Sequence, residues 1–322
     1  MKVGIPRGLL YYHYYPMWKV FLEEIGVEVI TSPPTSKEIL DLGTTNSQDD
    51  VCLPVKIFFG HTVYLAGKKV DFLFIPRIVA VEKEAYTCPK FLGLPDVIRS
   101  NLSDIPPVID ATVNVKKRDK SPLRAAIEIG RKFGVPLNKI RSAYENSCHA
   151  LWEYRRLMLK GHTPDEAIES LFSGKKVEKR ESGDIQIGVV GHPYNVYDRF
   201  STLDMLGKLK NMGAQVITGE MIRQEDIEHH AEFLPKRLFW SYERDIVGSA
   251  FYLIHTEKVD GIINVVSFEC GPDSLITELI QSEARRQGNF PIMVITLDEH
   301  TGEAGLLTRL EAFIDMLRMR KK

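Results

Sequence analysis

Short apolar segments alternate with stretches of helical periodicity along most of the chain, and this alternation restricts the fold more than any other feature. The segments Val3–Ile5, Val27–Ile30 and Val70–Ile75 are predicted to be strands, and Tyr15–Ile25 between the first two has the apolar spacing of a helix. Because strands that alternate with helices usually pair in parallel beneath those helices, we predict an α/β fold with parallel sheets.

The chain divides into regions of different pattern. Residues 1–122 alternate strands and helices, residues 123–174 are mostly helical, and residues 175–184 are polar, charged and bounded by glycine, as in a linker. Residues 185–322 return to the alternation. We therefore predict an N-terminal α/β domain, an intervening helical region, a linker and a C-terminal α/β domain. A chain of 322 residues also has the length of two domains of about 150 residues each.

The two alternating regions open with similar sequences. Val3–Pro6 resembles Ile187–Val190, and Gly26–Thr31 resembles Gly213–Thr218. Each pair encloses one helical stretch of similar length, so the second region repeats the strand–helix–strand unit of the first. We predict that the two domains share one architecture, and the pattern leaves open whether they share one ancestor.

The composition is that of an ordinary soluble globular protein. Hydrophobic residues make up 44% of the chain, and 42 Lys and Arg nearly balance 43 Asp and Glu. These values exclude a disordered chain, a collagen-like chain and a strongly cationic nucleic-acid binder. No apolar run reaches the roughly 18–20 residues of a membrane span, and Met1–Ile5 opens the chain without an apolar signal core. We expect a cytoplasmic protein with neither a nucleic acid nor a membrane as partner.

Three of the four cysteines share a local pattern. Cys52, Cys88 and Cys270 are each followed within two residues by proline and then by a helix-compatible run. Since proline favours the first turn of a helix, each cysteine is predicted to lie at a helix N-terminus, whose positive end and amide donors stabilise a thiolate. Cys148 lies in a helical pattern without such a proline and is interpreted as a small packing residue.

The spacing of these three cysteines leaves three interpretations open. Three thiolates from separate segments suit three corners of an iron–sulfur cube and leave the fourth iron open. Structural zinc is a competing interpretation, although the closely spaced Cys pairs usual for zinc do not occur in the sequence. Unconnected core thiols account for the bare spacing as well as a cluster does. Structural disulfides are not expected, because the cytoplasm keeps thiols reduced.

Several longer motifs point to one protein family. They are Lys2–Leu9, Cys52–Lys56, Ile75–Arg77, Cys88–Asp96, Cys270–Ser274 and Asp298–Phe313. Together they resemble the proteins related to the 2-hydroxyacyl-CoA dehydratase components, which also occur fused to CoA-substrate-specific enzyme activases. The wider superfamily includes benzoyl-CoA reductase subunits and double-cubane cluster proteins. The resemblance covers nearly the whole chain.

The resemblance implies two flavodoxin-like (Rossmann-like) parallel-sheet domains with an intervening helical region. It also implies that Cys52, Cys88 and Cys270 bind a [4Fe-4S] cluster, single or part of a double-cubane cluster, in the cleft between the domains. The implied partners are an ATP-hydrolysing activase as electron donor, a second copy or a related subunit in a dimer, and a CoA ester or small molecule. The chain has no P-loop motif, so a partner would supply the electron.

The resemblance therefore predicts an oxygen-sensitive iron–sulfur protein of the dehydratase type. Its role would be low-potential electron transfer, or activase-dependent reduction or dehydration, and the motifs leave open whether the chain itself is catalytic. Two alternatives remain: a non-enzymatic module that binds a CoA ester or docks an activase, and a structural zinc protein.

His300 and Glu303 are candidates for a catalytic role. They follow the predicted strand Ile292–Thr296, and ligands of open α/β sheets bind beyond the carboxyl ends of the strands. A histidine there can relay a proton. The alternative is a helix start, with Glu303 in the first turn of the following helix.

Four basic residues are candidates for binding the cofactor or an anionic substrate. Arg7 and Arg77 follow predicted strands, where an arginine suits a phosphate or carboxylate ligand or pairs with a local acid. Lys56 and Lys90 lie just after cysteines, where a cation would balance the negative charge of a cluster. A position on the solvated surface is the alternative for both lysines.

Overall fold

The computed structural model describes residues 1–175 and 183–321 and has the predicted α/β fold. The chain forms two compact units. Unit 1 comprises Met1–Arg156 and Phe239–Ser241, and unit 2 comprises Leu157–Leu238 and Tyr242–Lys322. The predicted linker lies largely outside the described residues, and the predicted domain boundaries stay predictions.

Unit 1 contains two parallel sheets. Its strands and helices are β1 (Lys2–Ile5), α1 (Tyr11–Glu24), β2 (Glu28–Thr31), α2 (Lys37–Asn46), α3 (Leu53–Ala66), β3 (Phe72–Phe74), β4 (Arg77–Ala80), α4 (Pro89–Asn101), β5 (Val108–Ile109), β6 (Thr112–Asn114), α5 (Pro122–Lys132) and α6 (Leu137–Leu159). The larger sheet has the order β2-β1-β3-β5, and β4 pairs with β6. Val3 of β1 lies opposite Val29 of β2 and Phe72 of β3. Since all these pairings are parallel, the carboxyl ends of the strands in the larger sheet share one edge.

The described residues of unit 2 form a four-stranded sheet. Its elements are α7 (Pro164–Ser173), β7 (Ile185–Gly191), α8 (Pro193–Val196), α9 (Met205–Asn211), β8 (Ala214–Thr218), α10 (Gln224–Ala231), α11 (Ser241–His255), β9 (Gly261–Ser267), α12 (Gly271–Arg286), β10 (Ile292–Leu297) and α13 (Glu303–Arg320). The sheet is parallel throughout and has the order β8-β7-β9-β10. When the strands of each four-stranded sheet are numbered along the chain, both sheets have the spatial order second, first, third, fourth. The predicted duplication of architecture is confirmed.

Glycines occupy matching positions in the two units. Gly4 in β1 and Gly188 in β7 each lie against leucine and valine side chains, which a Cβ would approach to 3.3 Å and 2.7 Å respectively. Gly26 and Gly213 end the helix before the second strand of each sheet, with φ of +90° and +81°. These angles lie in the left-handed region that favours glycine, so the same residue type ends the same helix in both units.

The central strands and the helices that cover them form the cores. All residues of β9 are buried, and this continuous apolar run is typical of a parallel strand covered on both faces. Leu22 and Ile98 are fully buried on helices of unit 1, as are Val247 and Ile280 in unit 2. None of the helices in the described part of the chain has the length and apolar character needed to cross a membrane.

The predicted helical region is formed by α5, α6 and α7. Thr163 caps α7, because its hydroxyl accepts the Glu166 N–H at 3.4 Å and the Glu166 carboxylate accepts the Thr163 N–H at 2.7 Å. Cys148 lies inside α6 and is half-buried, which agrees with its interpretation as a packing residue.

Candidate functional site

Three of the four cysteines lie at the same structural position. Cys52 is the N-cap of α3, Cys88 is the N-cap of α4 and Cys270 is the N-cap of α12, each with proline in the first two helical positions. The predicted helix starts are therefore confirmed. The structure contains all three cysteines as thiols rather than disulfides, and the N-terminal end of a helix favours the thiolate form.

The three cysteines are divided between the units. Cys52 and Cys88 belong to unit 1, where Cys52 is buried and Cys88 is half-buried, and Cys270 belongs to unit 2 and is half-buried. Within residues 1–175 and 183–321, no group of three or more His, Cys, Asp or Glu side chains is arranged to hold a metal ion. That the three sulfurs bind one cluster stays a prediction.

The segment that leads to Cys88 is held by backbone hydrogen bonds and by a buried threonine. Thr87 donates its hydroxyl hydrogen to the Ile78 carbonyl at 2.5 Å. The Tyr86 N–H donates to the Phe239 carbonyl at 2.9 Å, and the two rings stack with their centroids 5.2 Å apart. The segment before α4 is thus held in unit 1 by β4 and by Phe239.

Arg77 connects β4 to the helix that Cys88 caps. Its guanidinium donates to the Leu92 carbonyl at 2.7 Å and to both carboxylate oxygens of Asp96, each at 2.7 Å. The Nη2 atom of Arg77 also lies 3.6 Å from Oδ2 of Asp110. The hydrogen bond with Asp96 is the main cause that raises the pKa of Arg77. The arginine predicted to bind a cofactor therefore pairs with a local acid in the structure, and its cofactor role stays a prediction.

Arg7 follows β1, near the ends of the first two strands of unit 1. Its backbone N–H donates to the Ser32 hydroxyl at 2.8 Å. The fully buried His61 lies nearby, with its Nε2 3.1 Å from the Thr35 hydroxyl. Burial, followed by the charge of Arg7, lowers the pKa of His61 to about 3, so this imidazole is neutral at physiological pH. The role of Arg7 in cofactor binding stays a prediction.

The two candidate lysines have different environments. Lys56 is buried on α3, one turn after Cys52, whereas Lys90 is exposed in the first turn of α4. All of the first ten residues of α3 are buried, including Phe58 and Phe59. Lys56 therefore does not lie on the surface, whereas Lys90 does, and the role of both lysines in cofactor binding stays a prediction.

His300 and Glu303 are exposed in unit 2. The His300 N–H donates to the Asp298 carboxylate at 2.8 Å. Glu303 lies in the first turn of α13 and forms an ion pair with Lys208 at 2.8 Å. Glu303 thus has the position of the helix-start alternative, and a catalytic role for the two residues stays a prediction.

The loop that carries Cys270 is closed by a buried carboxylate. β9 ends at Ser267, whose N–H donates to Oδ2 of Asp273 at 3.1 Å. The other carboxylate oxygen of Asp273 lies 3.3 Å from Nε2 of His192. Both His192 and Asp273 are at least 98% buried, since their exposed fractions are 1% and 2%. Sequence reasoning missed both residues.

Two further acids lie close to His192. Glu243 is 3.8 Å from its Nε2, and Glu220 accepts a hydrogen bond from the Tyr197 hydroxyl at 2.7 Å. Burial raises the pKa of both glutamates. Burial alone would lower the pKa of His192, but Asp273, then Glu243 and Glu220, outweigh it and raise the pKa above its ordinary value.

The sequence contains a signal that would have found this histidine. His192 directly follows β7 and precedes Pro193, so it obeys the strand-end rule that singled out Arg7 and Arg77. Asp273 follows Cys270 by three residues, inside one of the motifs noted above. Distance along the chain concealed their pairing, because 81 positions separate residues 192 and 273.

The chain matches the model of a known protein family. The family model described as "CoA enzyme activase uncharacterised domain (DUF2229)" matches residues 2–222, which is more than half of the chain. Cys52 and Cys88 lie inside the matched region, and Cys270 lies beyond it. No curated protein matches the chain.

Proposed function

The chain belongs to the family of the CoA enzyme activase uncharacterised domain, and we propose that it is an iron–sulfur protein that receives low-potential electrons from an ATP-hydrolysing activase. One observation carries this proposal. Three of the four cysteines cap α-helices in the same way, and the fourth lies within a helix. Core thiols have no reason to share a capping position, whereas cluster ligands gain from it.

The chemistry of these residues fits a [4Fe-4S] cluster. Cys52, Cys88 and Cys270 would hold it as thiolates, and the positive N-terminal end of each helix would stabilise the negative charge at the sulfur. The cluster would supply one-electron chemistry at low potential. Three protein ligands would leave one iron open for a substrate or for a bridge to a second cluster.

The residues around the cysteines hold the ligand segments in place. Arg77 and Asp96 fix α4 against β4, and Thr87 fixes the segment before Cys88. Lys56 places a buried cation on the helix that Cys52 caps, and positive charge there offsets the charge of thiolates and sulfide. The cysteine ligands of the cluster would thus be held at the ends of fixed helices.

The proposal extends to the setting of the protein. The ATP-hydrolysing activase would act as the electron donor, since residues 1–322 contain no P-loop motif. A cytoplasmic, anaerobic environment and a dimer with a second copy or a related subunit suit an oxygen-sensitive cluster with an open iron. Such a cluster would reduce a CoA ester or another small molecule.

Anaerobic metal analysis tests this function. The full chain, purified and reconstituted without oxygen, is expected to be brown, with about four irons and four sulfides per chain. Electron paramagnetic resonance of the dithionite-reduced protein is expected to give the signal of a reduced cubane. Stoichiometric zinc in place of iron would establish the structural zinc alternative. Protein free of both metals would leave only the activase-docking or CoA-ester-binding module.

A further inference from the structure

The loop between β9 and α12 bears Cys270 in a strained and exposed stretch of backbone. Glu269, directly before Cys270, has a φ of +63°, a backbone angle that residues other than glycine rarely adopt. Phe268 is 57% exposed, and Glu269 is also exposed. Packing of these two side chains therefore contributes little, and the conformation of the loop must be maintained from its ends.

Both ends of the loop are held by buried polar groups. Asp273 accepts the Ser267 N–H at 3.1 Å and so joins the last residue of β9 to the first turn of α12. The Ser267 hydroxyl donates to Oδ1 of Asn195 at 2.8 Å. Asp273 is paired in turn with His192 at 3.3 Å. The loop is thus anchored twice to the short segment 192–195 that follows β7.

These anchors are buried deeply enough to be strong. The residues involved, His192, Asn195, Ser267 and Asp273, have exposed fractions of 4% or less. A hydrogen-bonded ion pair at such a depth is costly to break, because removal of one partner leaves the other buried without compensation.

Charge favours the cationic form of His192. The carboxylates of Asp273, Glu243 and Glu220 face it from α12, from α11 and from the segment after β8. Their combined charge keeps the pKa of His192 above its ordinary value despite burial. The ring is also fixed in orientation, since it stacks on Tyr194 with the centroids 4.7 Å apart.

We propose that His192, Asn195 and Asp273 are positioning residues that hold the loop between Ser267 and Asp273, so that the Cys270 thiol keeps one direction. The value of this arrangement for cluster binding rests on the proposed function. The positioning itself is a property of the protein alone and is measurable without iron.

Alkylation of the thiols tests the positioning in the full chain after removal of metal with a chelator. Iodoacetamide is applied at one fixed pH, and peptide mass spectrometry gives the separate rates for Cys270 and Cys88. Asp273→Ala is expected to speed alkylation of Cys270 about tenfold or more, a factor equivalent to ~1.4 kcal/mol of lost local stability. The rate for Cys88 is expected to stay unchanged. Asp273→Asn, whose amide oxygen still accepts the Ser267 N–H, is expected to restore most of the slow rate.

His255→Gln is the matched control. His255 also pairs with a carboxylate of α12, Glu283 at 2.8 Å, but at the other end of the helix. Its loss should leave the rate for Cys270 unchanged. Equal acceleration by His255→Gln, or no acceleration by Asp273→Ala, would overturn the positioning role. If Asp273→Ala fails to fold, Asn195→Ala replaces it, with the same expected direction. Wild-type protein that lacks iron would contradict the proposed function and leave this test intact.

Discussion

The guanidinium of Arg77 forms two parallel hydrogen bonds, each 2.7 Å long, with the carboxylate of Asp96. Arg77 opens β4, and Asp96 lies two turns into the helix that Cys88 caps. The pair fixes the helix relative to the strand, so Arg77 helps to hold in place the helix at whose N-terminus Cys88 lies.

Arg77→Lys is expected to lower the free energy of unfolding by about 1 kcal/mol, because lysine keeps the charge but loses the paired donor geometry and the bond to the Leu92 carbonyl. Urea unfolding of the two proteins measures the difference. Arg223→Lys is the matched control, since Arg223 makes the same two-pronged contact with Asp226 on the exposed surface. It should leave the midpoint unchanged, and equal effects of both substitutions would show that Arg77 is an ordinary surface residue.

Helices α2 and α3 approach so closely that a side chain does not fit between them. A Cβ on Gly60 would overlap the Ile39 carbonyl, and a Cβ on Gly43 would overlap the carbonyl of Lys56. Gly60→Ala is therefore expected to cost roughly 2–4 kcal/mol in chemical unfolding, through displacement of the helix that Cys52 caps.

Gly67→Ala is the control for this prediction. Gly67 ends the same helix with φ of −72°, and a Cβ there would meet its nearest neighbour at an ordinary 3.5 Å. Alanine at this position should be neutral or slightly stabilising. A loss from Gly67→Ala as large as that from Gly60→Ala would mean that close helix approach is not the cause.

The raised pKa of His192 predicts that the contribution of this residue to stability decreases as the pH rises. Its pKa is raised in the folded protein, so its contribution is full below the unfolded value of 6.5 and is lost as the pH rises through the folded value. The difference in unfolding free energy between wild type and His192→Gln should therefore be larger at about pH 6 than at about pH 9. Urea unfolding at the two pH values measures it. A difference that does not change with pH would contradict a charged His192.

The lowered pKa of His61 predicts the opposite pH dependence, a loss of stability as the pH falls. Burial, followed by Arg7, lowers its pKa to about 3 in the folded protein, so acidification below the unfolded value of 6.5 destabilises unit 1 by protonating the unfolded chain. Nuclear magnetic resonance should show that the His61 imidazole does not titrate between about pH 5 and pH 8. A midpoint near 6.5 would mean that the ring is solvated.

The sequence predicts those elements whose cause is local. Cys52 and Cys88 were placed correctly at helix starts because proline acts within one turn, and Gly26 marks a helix end because its φ is positive. The small β4–β6 sheet was missed, since Pro76 interrupts the apolar run and its pairing depends on a strand more than 30 residues away. Short-range rules therefore recover the elements but not every sheet.

The candidate site shows the same limit. The burial of Lys56 was missed, because a lysine in an apolar helix is buried only where other elements pack against it, as α2 and β3 pack against α3 here. The pairing of His192 with Asp273 arises only when the carboxyl end of β7 lies beside that of β9. Such contacts depend on topology rather than on any local pattern.

Four single substitutions distinguish cysteines that bind iron from a cysteine that only packs within a helix. Cys52→Ser, Cys88→Ser, Cys270→Ser and Cys148→Ser are reconstituted anaerobically, and iron per chain is measured together with the reduced electron paramagnetic resonance spectrum. We predict that each of the first three loses iron or alters the spectrum, and that Cys148→Ser equals wild type. Iron content and a spectrum that change equally in all four variants, or in none of them, would contradict cluster binding by these three cysteines.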